Sequence, residues 1–457
     1  MDNAPPAIVQ CAPVGGKAFG AHAMPWLFLA VSLWGAWFTW NALRPMAGGS
    51  RRGTVSFFAG WLTGELALHH LAWQMALTVA FAWAGALGAW PGWLGLAITL
   101  GSWAGLVYCL VIARRAEAVV ERALEAGLGP HWAEEIPTRS DGPLAPAIDW
   151  RRVLLPFPIR HREVERVRDI VFTRAAGRDL KLDVYRHRDR PSGCPTLLQI
   201  HGGAWILGSK NEQGLPLMHH LAARGWVCVS ADYRLSPRAT FPDHLIDVKR
   251  AIAWIRASGA AYGADPDFLV VTGGSAGGHL AALAALTPNE AEYQPGFETV
   301  DTAVDGCVAF YGVYDFTDRH GIWPDEGLRR LLERRVLKVR LASAREAFEK
   351  ASPLSRVHPD APPFFVLHGT HDTLVPVEEA RRFCAAFRYA ARAPLVYAEI
   401  PGAQHAFEIF PSVRCALVIG GVERFLAWVY EGYLRRRAEL TGTQPRRQEP
   451  AYSRRAT

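Results

Sequence analysis

The stretch that most narrows the choice of fold is Val270-Val271-Thr272-Gly273-Gly274-Ser275-Ala276-Gly277-Gly278-His279, followed at once by the alanine- and leucine-rich run Leu280 to Leu286. A β-branched apolar run, then glycines, then a helix-forming run predicts strand, tight turn and helix. The turn carries Gly-x-Ser-x-Gly, a nucleophile elbow in which the serine hydroxyl stands exposed at a strained corner. Small residues on both sides allow close backbone approach, and the helix N-terminus behind the serine favours developing negative charge. A glycine-rich turn with an incidental serine has the same five residues, so the rest of the chain has to decide.

From Val167 onward, short apolar runs alternate with helical spacing. Strands are predicted at 170–173, 180–185, 196–200, 226–231, 268–272, 307–310, 364–367 and 396–400. Helices are predicted at 212–224 and 242–257, the latter burying Leu245, Val248, Ile252 and Ile255. Buried strands separated by helices imply a mainly parallel sheet covered on both faces. Such sheets bind ligands past the carboxyl ends of their strands. Partners for Ser275 should therefore lie at strand ends, and candidates do. His201-Gly202-Gly203-Ala204 ends the third strand, His368-Gly369-Thr370-His371-Asp372 follows the seventh, and Pro401-Gly402-Ala403-Gln404-His405 follows the last.

The residue types suit acyl transfer. A serine hydroxyl is a weak nucleophile and needs a histidine to take its proton, and an acid orients that imidazole. Backbone N–H groups of Gly202, Gly203 and Ala276 are candidate donors to the tetrahedral oxyanion. Competing bases are His279 and His371, and the competing acid is Asp315. His201, Asp232 and Arg234 read as loop-bracing residues.

The first part of the chain is of another kind. The chain is 50% hydrophobic overall, yet most of its 17 tryptophans and its long charge-free runs lie before about residue 112. Met24 to Leu43 carries no charge and is long enough to cross a bilayer core of ~30 Å at ~1.5 Å per residue. Residues 66–90 and 93–112, split by Pro91-Gly92, are two further candidate spans, and a cleaved signal peptide is the competing reading of the first. Trp26, Trp40, Trp73, Trp90 and Trp93 fall near span ends. Arginines follow the first and third spans, which predicts an N-terminus outside and a C-terminal domain inside. Glu65, His69 and His70 open the second run, either as a metal or head-group site or as polar groups of an interfacial helix over 54–70. The expected organisation is an N-terminal tail (1–23), a membrane segment (24–112), a charged amphipathic helix and proline-rich linker (113–164), a catalytic domain (165–433) and a basic, disordered tail (434–457).

The net charge of +7 comes from scattered arginines with no basic stripe, which argues against nucleic acid. Seven widely spaced cysteines show no metal or redox spacing and read as free thiols.

His-Gly-Gly at 201–203, Asp-Tyr-Arg-Leu-Ser-Pro at 232–237, Gly-Gly-Ser-Ala-Gly-Gly at 273–278 and the Asp372 and His405 loops resemble the hormone-sensitive-lipase-like esterases and lipases of the α/β-hydrolase fold. The resemblance spans about residues 165–435. It implies a cofactor-free serine carboxylesterase with a Ser275-Asp372-His405 triad, an oxyanion hole at Gly202, Gly203 and Ala276, and an acyl pocket lined in part by the insert between 310 and 364. Two departures stand out: Ala204 where the family often has a third glycine, and Gly274 where it often has an acid. The second is shared with carboxylesterases and membrane-bound prenylcysteine methylesterases. The expected function is hydrolysis of apolar carboxylic esters at a membrane. Acyl transfer, prenylcysteine methylester hydrolysis, amide hydrolysis and a non-catalytic interaction module remain as alternatives.

Overall fold

The computed structural model describes residues 17–46, 50–136 and 148–442. Residues 1–16 of the N-terminal tail, part of the proline-rich linker and the end of the basic tail lie outside them, and α1 begins within the expected tail, at Lys17.

Eight strands form one sheet: β1 (Val164–Ala175), β2 (Arg178–His187), β3 (Cys194–Ile200), β4 (Val227–Ala231), β5 (Ala264–Gly274), β6 (Gly306–Phe310), β7 (Phe364–Gly369) and β8 (Leu395–Ile400). Their order is β1-β2-β4-β3-β5-β6-β7-β8. The first two pairings are antiparallel and the rest parallel. The parallel strands are buried on both faces, which is why they read as continuous apolar runs.

The helices are α1 (Lys17–Leu43), α2 (Ser50–Glu65), α3 (Ala67–Trp83), α4 (Trp90–Leu128), α5 (Trp150–Leu154), α6 (Leu215–Ala223), α7 (Asp243–Ser258), α8 (Ala276–Leu286), α9 (Gly327–Leu331), α10 (Arg345–Lys350), α11 (Glu378–Ala390) and α12 (Val413–Thr441). Alternate strand residues face opposite cores. Leu198, Val271 and Val366 pack with α7, α8 and α11, whereas Leu197, Val270 and Phe365 pack with α4, α6 and α12.

Two expected boundaries move. The amphipathic stretch after residue 112 is no separate helix but the second half of α4. Its Ala113, Ala116, Val120 and Leu124 recur every three or four residues and bury one stripe in the core of the catalytic domain. Gly421 of α12 admits Val120, since a Cβ there would meet its side chain at 2.1 Å. The helix at the C-terminus also continues past 433 to Thr441.

The first half of α4 runs parallel to α1, and α3 runs back between the two levels they define. Ser32 meets Thr99 and Thr39 meets Ser102, at 2.9 and 2.7 Å. Phe28 stacks on Phe81, and Ala42 shares a small cluster with Ala67 and Leu106. Polar residues occupy much of the inside of this bundle and most large apolar ones the outside: Ser32, Thr39, Thr99 and Ser102 are buried, while Trp34, Val79, Trp83, Trp93 and Leu100 are exposed. Among the described residues, one helix, Trp90–Leu128, is long and apolar enough to cross a membrane. The second predicted span is shorter than expected: α3 has 17 residues, or about 25 Å.

Residues 50–65 form a separate helix, α2, at the end of the bundle nearest the sheet. It lies against the catalytic domain. Glu65 is buried and pairs with Arg414, and Ser412 Oγ donates to it at 2.7 Å. His69 Nε2 sits 3.0 Å from the Leu154 carbonyl oxygen. Glu65 is thus committed to tying α2 to α12, and the three residues do not converge on one metal or head-group site.

Candidate active site

Ser275 sits between β5 and α8 with φ 59° and ψ −121°. A non-glycine residue in that region stores on the order of 1–3 kcal/mol. Flanking contacts hold it: its N–H donates to the Phe310 carbonyl at 3.0 Å, and its own carbonyl accepts from His279 N at 2.9 Å. Among the described residues the Ser275 hydroxyl has no hydrogen-bond partner, as is common before substrate tightens a catalytic site.

Past the ends of β7 and β8, His405 Nδ1 lies 2.6 Å from Asp372 Oδ2. The other carboxylate oxygen accepts from the N–H groups of Leu374 and Val375, both at 2.9 Å. Burial alone would raise the Asp372 pKa, but His405 and His368 outweigh it and hold the carboxyl well below its usual range. The acid therefore stays ionised and fixes the imidazole with Nδ1–H toward it.

Tyr311, just after β6, joins the two halves of the site. Its ring lies 4.4 Å from that of His405, and its hydroxyl fills the space in front of Gly274, where a Cβ would come within 2.6 Å of it. That contact accounts for the glycine before the serine: any larger residue would displace Tyr311. The Tyr311 hydroxyl donates in turn to Glu408, a buried carboxyl whose pKa burial pushes up to about 7. Neither residue was singled out from sequence. The signal for Glu408 was available, as a lone carboxylate in the apolar run Ala406-Phe407-Glu408-Ile409-Phe410.

The N–H groups of the expected oxyanion set differ in their hydrogen bonding. Gly202 N–H donates to Gln213 Oε1 at 2.6 Å. Gly202 also serves close packing, since a Cβ there would lie 2.6 Å from the Gly274 carbonyl oxygen and 3.2 Å from Ser275 Cβ. Among the described residues the N–H groups of Gly203, Ala204 and Ala276 have no protein acceptor. Ala204 adopts φ 52°, the conformation for which a glycine is better suited.

The competing candidates are engaged elsewhere. His279 is buried between Trp205 Nε1 and the Ala351 carbonyl oxygen, at 3.2 and 2.7 Å. His371 Nδ1 faces the Ala42 carbonyl at 3.2 Å. Asp315 caps its own loop through Thr317 and Arg319. His201 stacks on Tyr233 at 4.3 Å, Asp232 accepts from Lys210 N, and Arg234 pairs with Asp247, all of which brace the loops.

One element of the site comes from far away in sequence. The Phe57 ring of α2 lies edge-on 6.2 Å from His405, and Trp61 Nε1 donates to the Ala406 carbonyl at 2.8 Å. Thr373 Oγ1 donates to the Gly53 carbonyl at 2.9 Å.

A sheet of this order, with a strained serine after β5 and its candidate partners past β7 and β8, places the protein in the α/β-hydrolase class. A family model described as BD-FAE matches residues 182–387. The probable carboxylic ester hydrolase LipM of Mycobacterium tuberculosis is 43% identical over 411 residues, covering 86% of this chain and 90% of its own. Esterase LipQ of the same organism is 43% identical over 323 residues, 70% of this chain and 76% of its own. Among solved structures, the esterase Est2 of the Planctomycetes species Thermogutta terrifontis is 28% identical with a TM-score of 0.48, covering 64% of this chain and 98% of that one. The chain belongs to the α/β-hydrolase family of carboxylic ester hydrolases that includes LipM and LipQ, and it is an enzyme acting on ester bonds.

Proposed function

We propose that the protein is a membrane-anchored serine carboxylesterase that hydrolyses apolar carboxylic esters through an acyl-enzyme on Ser275. The observation that carries this reading is the buried His405–Asp372 pair, 2.6 Å apart, beside a nucleophile elbow with φ 59°. His405 Nε2 takes the Ser275 proton as the hydroxyl attacks the ester carbonyl, and the oxyanion is received by the N–H groups of Gly203, Ala204 and Ala276. His405 then returns the proton to the departing alcohol. A water activated by the same imidazole releases the acid. No cofactor enters this sequence.

The anchoring part rests on the bundle of α1, α3 and the first half of α4, whose outward residues are apolar and whose inward residues are small or polar, a distribution suited to lipid. Arg44, Arg51, Arg52, Arg114 and Arg115 gather at the end of the bundle nearest the sheet, which favours a cytoplasmic catalytic domain. An apolar ester concentrates in the same phase.

The test is a graded ester series on wild type and Ser275→Ala in detergent or vesicles. The variant should retain its fold and lose activity by about 10³-fold or more, together with fluorophosphonate labelling. Residual activity within tenfold of wild type would remove Ser275 as the nucleophile.

A further inference from the structure

We infer that α2, though part of the N-terminal helical segment, walls the subsite for the alcohol portion of the ester, with Phe57 as its specificity-determining contact. The inference rests on the serine mechanism proposed above and goes beyond it.

Chemistry sets the side of the site that Phe57 faces. His405 must hand its proton to the leaving oxygen, so that oxygen comes within hydrogen-bond reach of Nε2. The carbonyl oxygen points the other way, toward Gly203, Ala204 and Ala276. Whatever flanks His405 therefore flanks the alcohol, not the acyl chain. Among the described residues, the side chains whose rings pack on His405 are Tyr311 and Phe57. Tyr311 is committed to Glu408 and to the elbow, which leaves Phe57 as the adjustable wall.

The placement of Phe57 is built. Its ring stacks on Trp61 at 4.9 Å and 15°, and Trp61 is tied to the His405 loop through the Ala406 carbonyl. Gly53 lets α2 come this close, because a Cβ there would lie 2.5 Å from the Thr373 carbonyl oxygen, one residue after the catalytic acid. Glu65 locks the far end of the helix to Arg414 and Ser412. Phe57 itself is 8% exposed, so its truncation opens space directly beside His405.

The chemistry of the occupant follows from the surface that continues outward. Val55 and Phe58 on α2 and Leu374, two residues after Asp372, are exposed and apolar. An alcohol portion that is itself apolar, such as a long or branched alkyl group, would cover them. Since α2 lies at the end of the helical bundle, that group would approach from the bilayer side.

The experiment uses the full chain in mixed micelles with two ester sets: one acyl group on ethyl to branched and long-chain alcohols, and one alcohol on acetyl to decanoyl groups. Phe57→Ala should raise the kcat/KM ratio of branched over ethyl esters about tenfold, and Phe57→Trp should lower it by a similar factor. Ratios within the acyl set should stay within about twofold. Phe57→Leu, which removes less volume, should shift the alcohol ratio in the same direction and serves if the alanine variant does not fold. Unchanged alcohol ratios, or equal shifts in both sets, overturn the inference. Activity surviving in Ser275→Ala would instead remove the serine mechanism, so the two failures are distinguishable.

Discussion

The helical bundle and the sheet domain solve the same problem in opposite ways. In the sheet domain the apolar side chains of β3, β5, β6 and β7 are turned inward and covered on both faces by helices. In the bundle most of the large apolar residues face out, and serines, threonines and glycines meet at the centre beside the buried Phe28 and Leu106. Packing of small and polar residues inside a shell of tryptophan and leucine is favourable only if the surroundings are as apolar as the shell. On the proposed membrane anchoring, the difference teaches that the two regions answer to different solvents, and that their junction must satisfy both. That junction is made by α4, which passes from one regime to the other without a break, and by α2, which carries no exposed span and seals against the His405 loop.

The strongest way to break the junction is Arg414→Ala. Burial raises the Glu65 pKa and Arg414 is the main opposing influence, so its removal leaves a buried carboxylate without its cation. Breaking such a pair costs about 3–5 kcal/mol. The melting temperature of the detergent-solubilised protein should fall accordingly, with activity falling alongside as α2 loosens from the site. An unchanged melting temperature would mean that α2 is held by its apolar contacts alone.

Leu100→Arg sharpens the contrast between the two solvents. Leu100 is exposed on the bundle surface, where water would welcome an arginine. In a bilayer the same substitution at mid-helix costs about 3–4 kcal/mol. Loss of the protein from the membrane fraction supports the lipid-facing reading, whereas normal or improved behaviour in both membrane and soluble fractions contradicts it.

The smallest effect is expected at Glu408, on the sheet side. Its carboxyl is raised by burial to about 7 from 4.5, so the folded state holds the proton more tightly than the unfolded one. Stability from this group is fully present below about pH 4.5 and is lost as the pH rises through 7. Glu408→Gln keeps an acceptor for Tyr311 and removes the titration. The stability of the variant relative to wild type should rise between pH 5 and 7 by about 1.4 kcal/mol per pH unit, read as a rising difference in melting temperature that levels off above pH 7. A pH-independent difference would show that Glu408 does not titrate in this window.

Much was legible in the amino-acid sequence because it is written locally. All eight strands appear where apolar runs of four to six residues were read, and the elbow declares itself within ten residues, since strand, glycine turn and helix each have a short-range signature. The His405–Asp372 pair followed from a topological rule, that loops past parallel strand ends converge, with no knowledge of distances. Three apolar helices were also readable, although the length of the second and the continuity of α4 were not.

Tertiary structure alone decided matters that depend on residues distant in the chain. Nothing near Gly202 announces that Gln213 takes its N–H, the bond that makes Ala204 the proposed oxyanion donor in its place. Gly274 departs from the common acid because Tyr311, arriving from the next strand, occupies that space. Phe57 reaches His405 across almost the whole chain, through a helix whose own pattern reads as interfacial. Periodicity reports which face of an element is apolar, but not which partner will cover it. For that reason the proposed catalytic groups of this esterase were legible in its sequence, while the surroundings proposed to select its substrate were not.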